Sequence, residues 1–198
     1  MLLAAGAGRR MGTPKALVEL DGEPLVRRAL RVLADGGAAP VAVVVGARAA
    51  EVRALLPAGV TAVEAPDWAS GMGASLRAGL TALADLAGGR DAGAAVVHLV
   101  DLPGVPAAAV ARLRAVASGP AALARASYGG RPGHPVLLGR AHWAAAAAAA
   151  SGDAGARGYL AGRTDVRLVE CGDLAGRPGD VDTPEQLAAF AARRVPGR

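Results

Sequence analysis

Cysteine is nearly absent: Cys171 is the only one in 198 residues, so the chain can form no internal disulfide and no cysteine-rich metal centre. Aromatic residues make up only 3%, which leaves few platforms on which unpaired nucleic-acid bases could stack. No apolar run reaches membrane-spanning length without a charge or a proline, and Met1–Ala5 ahead of Gly6 is too short for a signal-peptide core. Lysine is as scarce as cysteine, since Lys15 alone among 22 basic residues is not an arginine. These absences predict a cytoplasmic protein with neither membrane nor nucleic acid as a partner.

What remains suits one domain spanning residues 1–198, because 53% of the residues are hydrophobic and most of those are alanine and valine. The net charge of +5 comes from scattered arginines rather than a dense basic run, which favours a small polyanionic substrate over a nucleic acid. Apolar runs at Met1–Ala5, Val41–Val45, Val60–Ala65 and Ala94–Val100 read as buried strands. Helical spacing occupies Pro24–Asp35, Ala49–Leu56, Gly73–Leu86 and Pro106–Ala117. Further strands are expected at Ala121–Ala126, Pro135–Leu138 and Val166–Glu170, with helices near Arg140–Ala150, Ala156–Gly162 and Pro184–Arg194. The alternation predicts a Rossmann-like three-layer α/β/α fold with a mostly parallel sheet, and ligands bound beyond the carboxyl ends of its strands. The first strand starts at Met1 itself, so it is either unusually short or the natural chain begins upstream.

The first strand exit carries Leu3-Ala4-Ala5-Gly6-Ala7-Gly8-Arg9-Arg10-Met11-Gly12-Thr13-Pro14-Lys15. Three glycines directly after a strand let the backbone approach a ligand and aim N–H groups at phosphate oxygens. The spacing misses the usual dinucleotide pattern and lacks the Gly-Lys-Ser/Thr of a P-loop. A phosphate loop, an ordinary strand-to-helix turn and a dinucleotide loop all remain open on spacing alone. Lys15 favours the first, because a compact ammonium can track phosphate charge through a reaction better than a guanidinium fork.

Three more segments offer chemistry. Val96-Val97-His98-Leu99-Val100-Asp101 delivers Asp101 at a strand exit, as a magnesium ligand or as a turn residue. Gly179-Asp180-Val181-Asp182-Thr183-Pro184-Glu185 places two aspartates on opposite sides of an extended segment just before a helix, so only one can face a site. Gly71-Met72-Gly73-Ala74-Ser75 opens a helix with small residues, either as a capped start or to leave N–H donors free for a ligand. His134, in the glycine-rich stretch Gly129–Val136, reads as part of a flexible turn, and His98 and His142 read as structural.

Taken together, Leu3-Ala4-Ala5-Gly6-x-Gly8-x-Arg10-Met11-Gly12-x-x-Lys15, Gly71-Met72-x-x-Ser75-Leu76, Gly133-His134-Pro135 and Gly152-Asp153-x-Gly155-Ala156-Arg157 resemble the MobA-like NTP transferases, and their molybdenum cofactor cytidylyltransferase (MocA-like) branch in particular. The resemblance implies a GT-A-like nucleotidyltransferase with a nucleotide-binding half, 1–105, and an acceptor-binding half, 106–198. It implies a loop of Leu3, Ala4, Ala5, Gly6, Gly8 and Gly12 around the triphosphate, helped by Arg9, with Arg10 and Lys15 on its phosphates. It also implies Gly73 and Ser75 beside the nucleotide, His134 and Arg157 beside the acceptor, and Mg2+ on Asp101 and Asp182. CTP and the phosphorylated molybdenum cofactor would be the substrates, with molybdoenzyme maturation proteins as partners. A sugar-phosphate nucleotidyltransferase or a guanylyltransferase of the same fold is the alternative. A different class, an NADP-binding Rossmann oxidoreductase, would use Arg48 after the second strand for the 2′-phosphate, and a non-catalytic nucleotide sensor is a third.

Overall fold

Val43, Val44 and Val45 are fully buried because the strand that carries them has a neighbouring strand on each side in a sheet covered on both faces. A computed structural model describes residues 1–86, 92–174, 176 and 179–193. In chain order the strands are β1 (Leu2–Leu3), β2 (Glu19–Leu20), β3 (Glu23–Pro24), β4 (Ala42–Val45), β5 (Thr61–Glu64), β6 (Ala94–Leu99), β7 (Leu123–Tyr128), β8 (Arg131–Gly139) and β9 (Arg167–Glu170). The helices are α1 (Leu25–Asp35), α2 (Ala49–Ala54), α3 (Met72–Asp85), α4 (Ala107–Ala115), α5 (Trp143–Ala149), α6 (Arg157–Leu160) and α7 (Pro184–Ala192). The expected end of the last helix, Arg194, lies outside the described residues.

Seven strands form one sheet in the order β5-β4-β1-β6-β8-β7-β9. All run parallel except β8, which pairs antiparallel with both β6 and β7. The sheet is mostly parallel, as the alternating pattern predicts. Strand β1 has two residues yet sits between β4 and β6, and Ala4 N–H and Val100 N–H extend its pairing through bonds to Val44 O and Leu3 O. Side chains alternate between two cores. One gathers Leu2, Val43, Val45 and Val96 under α1 and α4; the other gathers Leu3, Val44, Ala95 and Val97 under α3 and α5. Among the described residues no helix is long and apolar enough to cross a membrane.

Two local expectations need correction. Strand β8 starts at Arg131 rather than Pro135, so the turn is Gly129-Gly130 alone, both at positive φ, and His134 lies within a strand. Gly73 is buried, and a Cβ there would stand 2.6 Å from Ser151 N and 2.8 Å from Ala150 C. Its small size admits the Ala150–Ser151 backbone against α3, so its role in the fold is packing rather than leaving space for a ligand.

His98, fully buried on β6, has no hydrogen-bond partner for either ring nitrogen. Burial, reinforced by the fields of His134 and the Met1 amine, pushes its pKa down from 6.5 to about 3. The unfolded chain protonates this histidine below about pH 6.5 whereas the folded chain resists until about pH 3, so stability is lost as pH falls through that window. Urea midpoints measured from pH 7 to pH 4 should therefore fall, and His98→Leu should remove about one proton's share of that slope. Gly73→Ala should lower stability by about 1–3 kcal/mol at unchanged m-value, because backbone rather than a flexible side chain blocks the added carbon.

Candidate active site

The exits of β1, β6 and the segment before α7 converge on one cleft of about 360 Å3, a volume suited to a small ligand. The loop after β1 folds back on itself. Gly8 has φ +61°, and a Cβ there would lie 1.9 Å from Thr13 O, so the return of the chain requires glycine at this point. Met11 N–H closes the turn on Gly8 O at 2.9 Å, and Arg48 Nη1 donates to Thr13 Oγ1 at 2.9 Å from the start of α2. A 3-10 turn over Lys15–Leu17 then carries the single lysine beneath the loop.

Lys15 Nζ donates to Asp101 Oδ2 at 2.8 Å and to Asp182 Oδ1, joining residues 86 and 167 positions away. Arg10 Nη2 reaches the other oxygen of Asp182 at 2.7 Å. The side chains of Lys15, Asp101 and Asp182 are 18%, 21% and 13% exposed, so these charges interact with much less solvent screening than a surface pair. Burial alone would lower the Lys15 pKa, but the charges of Asp101 and Asp182 and their hydrogen bonds outweigh it and raise the value. Asp182 is held below the ordinary carboxylate range, first by its bond from Lys15 and then by the charges of Lys15 and Arg10. The site therefore presents a carboxylate on Asp182 and an ammonium on Lys15 at neutral pH.

Backbone bonds fix Asp182. Val181 N–H donates to Asp101 O at 2.9 Å, tying this segment to the exit of β6. Gln186 completes a capping box with Thr183, and its Oε1 also accepts from Asp182 N–H at 2.7 Å. Asp180, two residues earlier, is exposed and lies outside the cleft lining.

Of the residues expected in the site, Leu3, Ala4, Ala5, Gly6, Gly8, Arg9, Arg10, Lys15, Ser75, Asp101 and Asp182 line the cleft. Gly12, Gly73, His134 and Arg157 do not. Among the lining residues that sequence reasoning assigned no role are Trp68 and Asp153. Trp68 packs across the backbone of Gly46, where an added Cβ would stand 2.5 Å from the indole Cγ. Asp153 faces the same cleft from a 3-10 turn over Gly152–Ala154 that abuts the start of α3. Its place in Gly-Asp-x-Gly-Ala-Arg was the available signal. Among the described residues no cluster of three or more histidine, cysteine or carboxylate side chains gathers to bind a metal.

The MobA-like NTP transferase domain matches residues 1–168. The chain is similar to nicotine blue oxidoreductase of Paenarthrobacter nicotinovorans, at 38% identity over 94% of this chain and 93% of that one. It is similar to a molybdenum cofactor guanylyltransferase of Rhodobacter capsulatus, at 35% identity over 74% of this chain and 65% of the relative. Among solved structures it resembles Rv0371c of Mycobacterium tuberculosis in complex with manganese, with 27% identity, a TM-score of 0.75 and 96% of each chain covered. With its sheet order, its glycine loop and this match over most of its length, the chain belongs to the MobA-like NTP transferase family and is a nucleotidyltransferase.

Proposed function

We propose that this cytoplasmic enzyme moves CMP from CTP onto a small phosphorylated acceptor, the molybdenum cofactor, with release of pyrophosphate. The observation that carries this reading is Lys15 set between Asp101 and Asp182 under the glycine loop, with Arg10 beside it. A site that must hold a triphosphate needs cations near its phosphates and carboxylates for a divalent metal. Both are present within one cleft.

In the reaction an acceptor phosphate oxygen bonds to the α-phosphorus, the bond from that phosphorus to the α,β-bridging oxygen breaks, and pyrophosphate leaves with the electron pair. The acceptor oxygen is already anionic at neutral pH, so the protein chiefly aligns reactants and offsets charge. Gly6 to Gly8 line the cleft, where their backbone N–H groups would face the triphosphate, while Arg10 and Lys15 would offset the charge that grows on pyrophosphate. Asp101 and Asp182 suit Mg2+, which takes one or two carboxylates alongside substrate phosphates. When bound, the metal would neutralise charge on the α-phosphate. A similar protein's structure in complex with manganese supports a divalent cation.

The residues up to about 105 serve the nucleotide and those from 106 serve the acceptor, with Arg157 and His134 on the acceptor side. CTP rests on the Ala4-Ala5-Gly6 form of the loop and on Gly133-His134-Pro135, and the guanylyltransferase relative makes GTP its main competitor. Molybdoenzyme maturation proteins are the partners that this activity calls for.

One other reading is an NADP-binding oxidoreductase, and the 38% identical relative is named an oxidoreductase. Arg48 would receive the 2′-phosphate, yet its guanidinium already pairs with Glu51 and bonds Thr13. A fluorescence titration with NADPH beside one with Mg-CTP separates the two readings. Saturable NADPH binding in the absence of any Mg-CTP binding would overturn nucleotidyl transfer.

Pyrophosphate release should be fastest with CTP among CTP, GTP, ATP and UTP, measured with molybdenum cofactor and with sugar phosphates as acceptors; a preference for GTP would overturn the choice of base. Lys15→Ala and Asp101→Asn should each lower kcat by about 100-fold or more while the circular dichroism spectrum is kept. Full turnover in either variant would remove that residue from the mechanism.

A further inference from the structure

Arg125 stands on β7, paired across the sheet with Val136 of β8, and its Nε donates to Gly133 O at 3.0 Å. The guanidinium is half-buried, yet among the described residues it has no carboxylate partner. Elsewhere Arg31, Arg48, Arg53, Arg112 and Arg163 each form an ion pair with a carboxylate. What Arg125 faces instead is more positive charge. Burial lowers its pKa, and the neighbouring Arg157 lowers it further.

Arg157 opens α6 and is likewise without a carboxylate partner among the described residues; its Nη2 donates to Asp153 O at 3.3 Å. His134 completes the group. Its Nδ1 is sealed from solvent with no partner, and burial, followed by the fields of Arg125 and Arg157 with only a bond to the Val97 backbone opposing them, lowers its pKa to about 4. Arg125 and His134 thus sit together on β7 and β8, within the field of the Arg157 guanidinium. Such a grouping is unfavourable by itself, because half-buried Arg125 loses hydration without gaining an anion and feels the like charge of exposed Arg157. An arriving dianion reverses that balance, and paired guanidinium forks match phosphate oxygens well. Arg157 also borders the nucleotide cleft, since the carbonyl that accepts from it belongs to Asp153, which lines that cleft.

We infer that Arg125 is an acceptor-binding residue which, with Arg157 and beside His134, seats a phosphomonoester dianion next to the cleft, on the side of Asp153. This deepens the proposed nucleotidyl transfer and rests on it for the dianion's identity as the acceptor's phosphate. A γ-phosphate of the nucleotide has the same chemistry, so the test must separate the two sources.

Inorganic phosphate is the probe, titrated by calorimetry into the full chain with saturating Mg-CTP already bound. Wild-type protein should bind phosphate at one site; Arg125→Gln should weaken that binding about tenfold or more, and Arg125→Lys by less, with Mg-CTP affinity within twofold of wild type in both. The proton resonance of His134 should shift on phosphate addition in wild type and not in Arg125→Gln, a signature that a purely structural arginine would not produce. Arg112→Gln, which removes a surface ion pair elsewhere, should leave phosphate binding unchanged. Equal phosphate affinity in wild type and Arg125→Gln overturns the inference, as does a loss shared equally by Mg-CTP, which would assign Arg125 to the triphosphate. Failure of the wild-type chain to bind Mg-CTP at all overturns the nucleotidyl-transfer reading instead, and phosphate binding would then be judged without it.

Discussion

A single ammonium held between two carboxylates joins three distant parts of this chain. Lys15 comes from the loop after β1, Asp101 from the exit of β6, and Asp182 from the segment that leads into α7. Shelter disfavours the charge on Lys15, the carboxyl groups of Asp101 and Asp182 outweigh that effect, and Lys15 in turn favours the charged form of Asp182. The bond from Val181 N–H to Asp101 O and the Gln186 side chain on Asp182 N–H hold the third part in register, so the geometry does not depend on the side-chain charges alone. Because β1 contributes only two residues to the sheet, the loop it feeds is anchored chiefly through these contacts and the bond from Ala47 N–H to Ala5 O.

The same arrangement explains why lysine occurs once in a chain otherwise furnished with arginine. Asp101 and Asp182 approach the cation from different segments, and a compact ammonium suits that convergence without a fixed plane to align. An ammonium has three donors and no fixed plane, and it can bond both. It can also move to a phosphate oxygen without reorienting a bulky group. Arg10, 72% exposed at its side chain, already serves as the fork on the solvent side.

Much of this was legible beforehand because it depends on local rules. The alternation of apolar runs with helical spacing placed β1, β4, β5 and β6 with the helices between them, since buried parallel strands are continuous apolar runs. Lys15 and the alternating Asp180 and Asp182 could be singled out because composition and strand periodicity are visible in a sequence. The β2–β3 hairpin went unread, although Asp21-Gly22 is a standard two-residue turn and both residues have positive φ. Its two-residue strands are too short to show a period. Gly73 and Arg125 were illegible for another reason. The first is explained by the backbone of Ala150–Ser151 and the second by Arg157, neighbours that only tertiary folding supplies.

One similar protein is named an oxidoreductase, and one fold can host several activities. The charges in the cleft agree with nucleotidyl transfer. Hydride transfer from a nicotinamide needs a dry, shaped seat for the ring and a place for the ribose phosphate, and it has no use for paired carboxylates clamped on a lysine at the exits of two central strands. Transfer between phosphates needs both signs of charge within reach of one phosphorus. Arg10, Lys15, Asp101 and Asp182 provide both signs in one place, whereas the arginine that a 2′-phosphate would need is already engaged by Glu51 and Thr13.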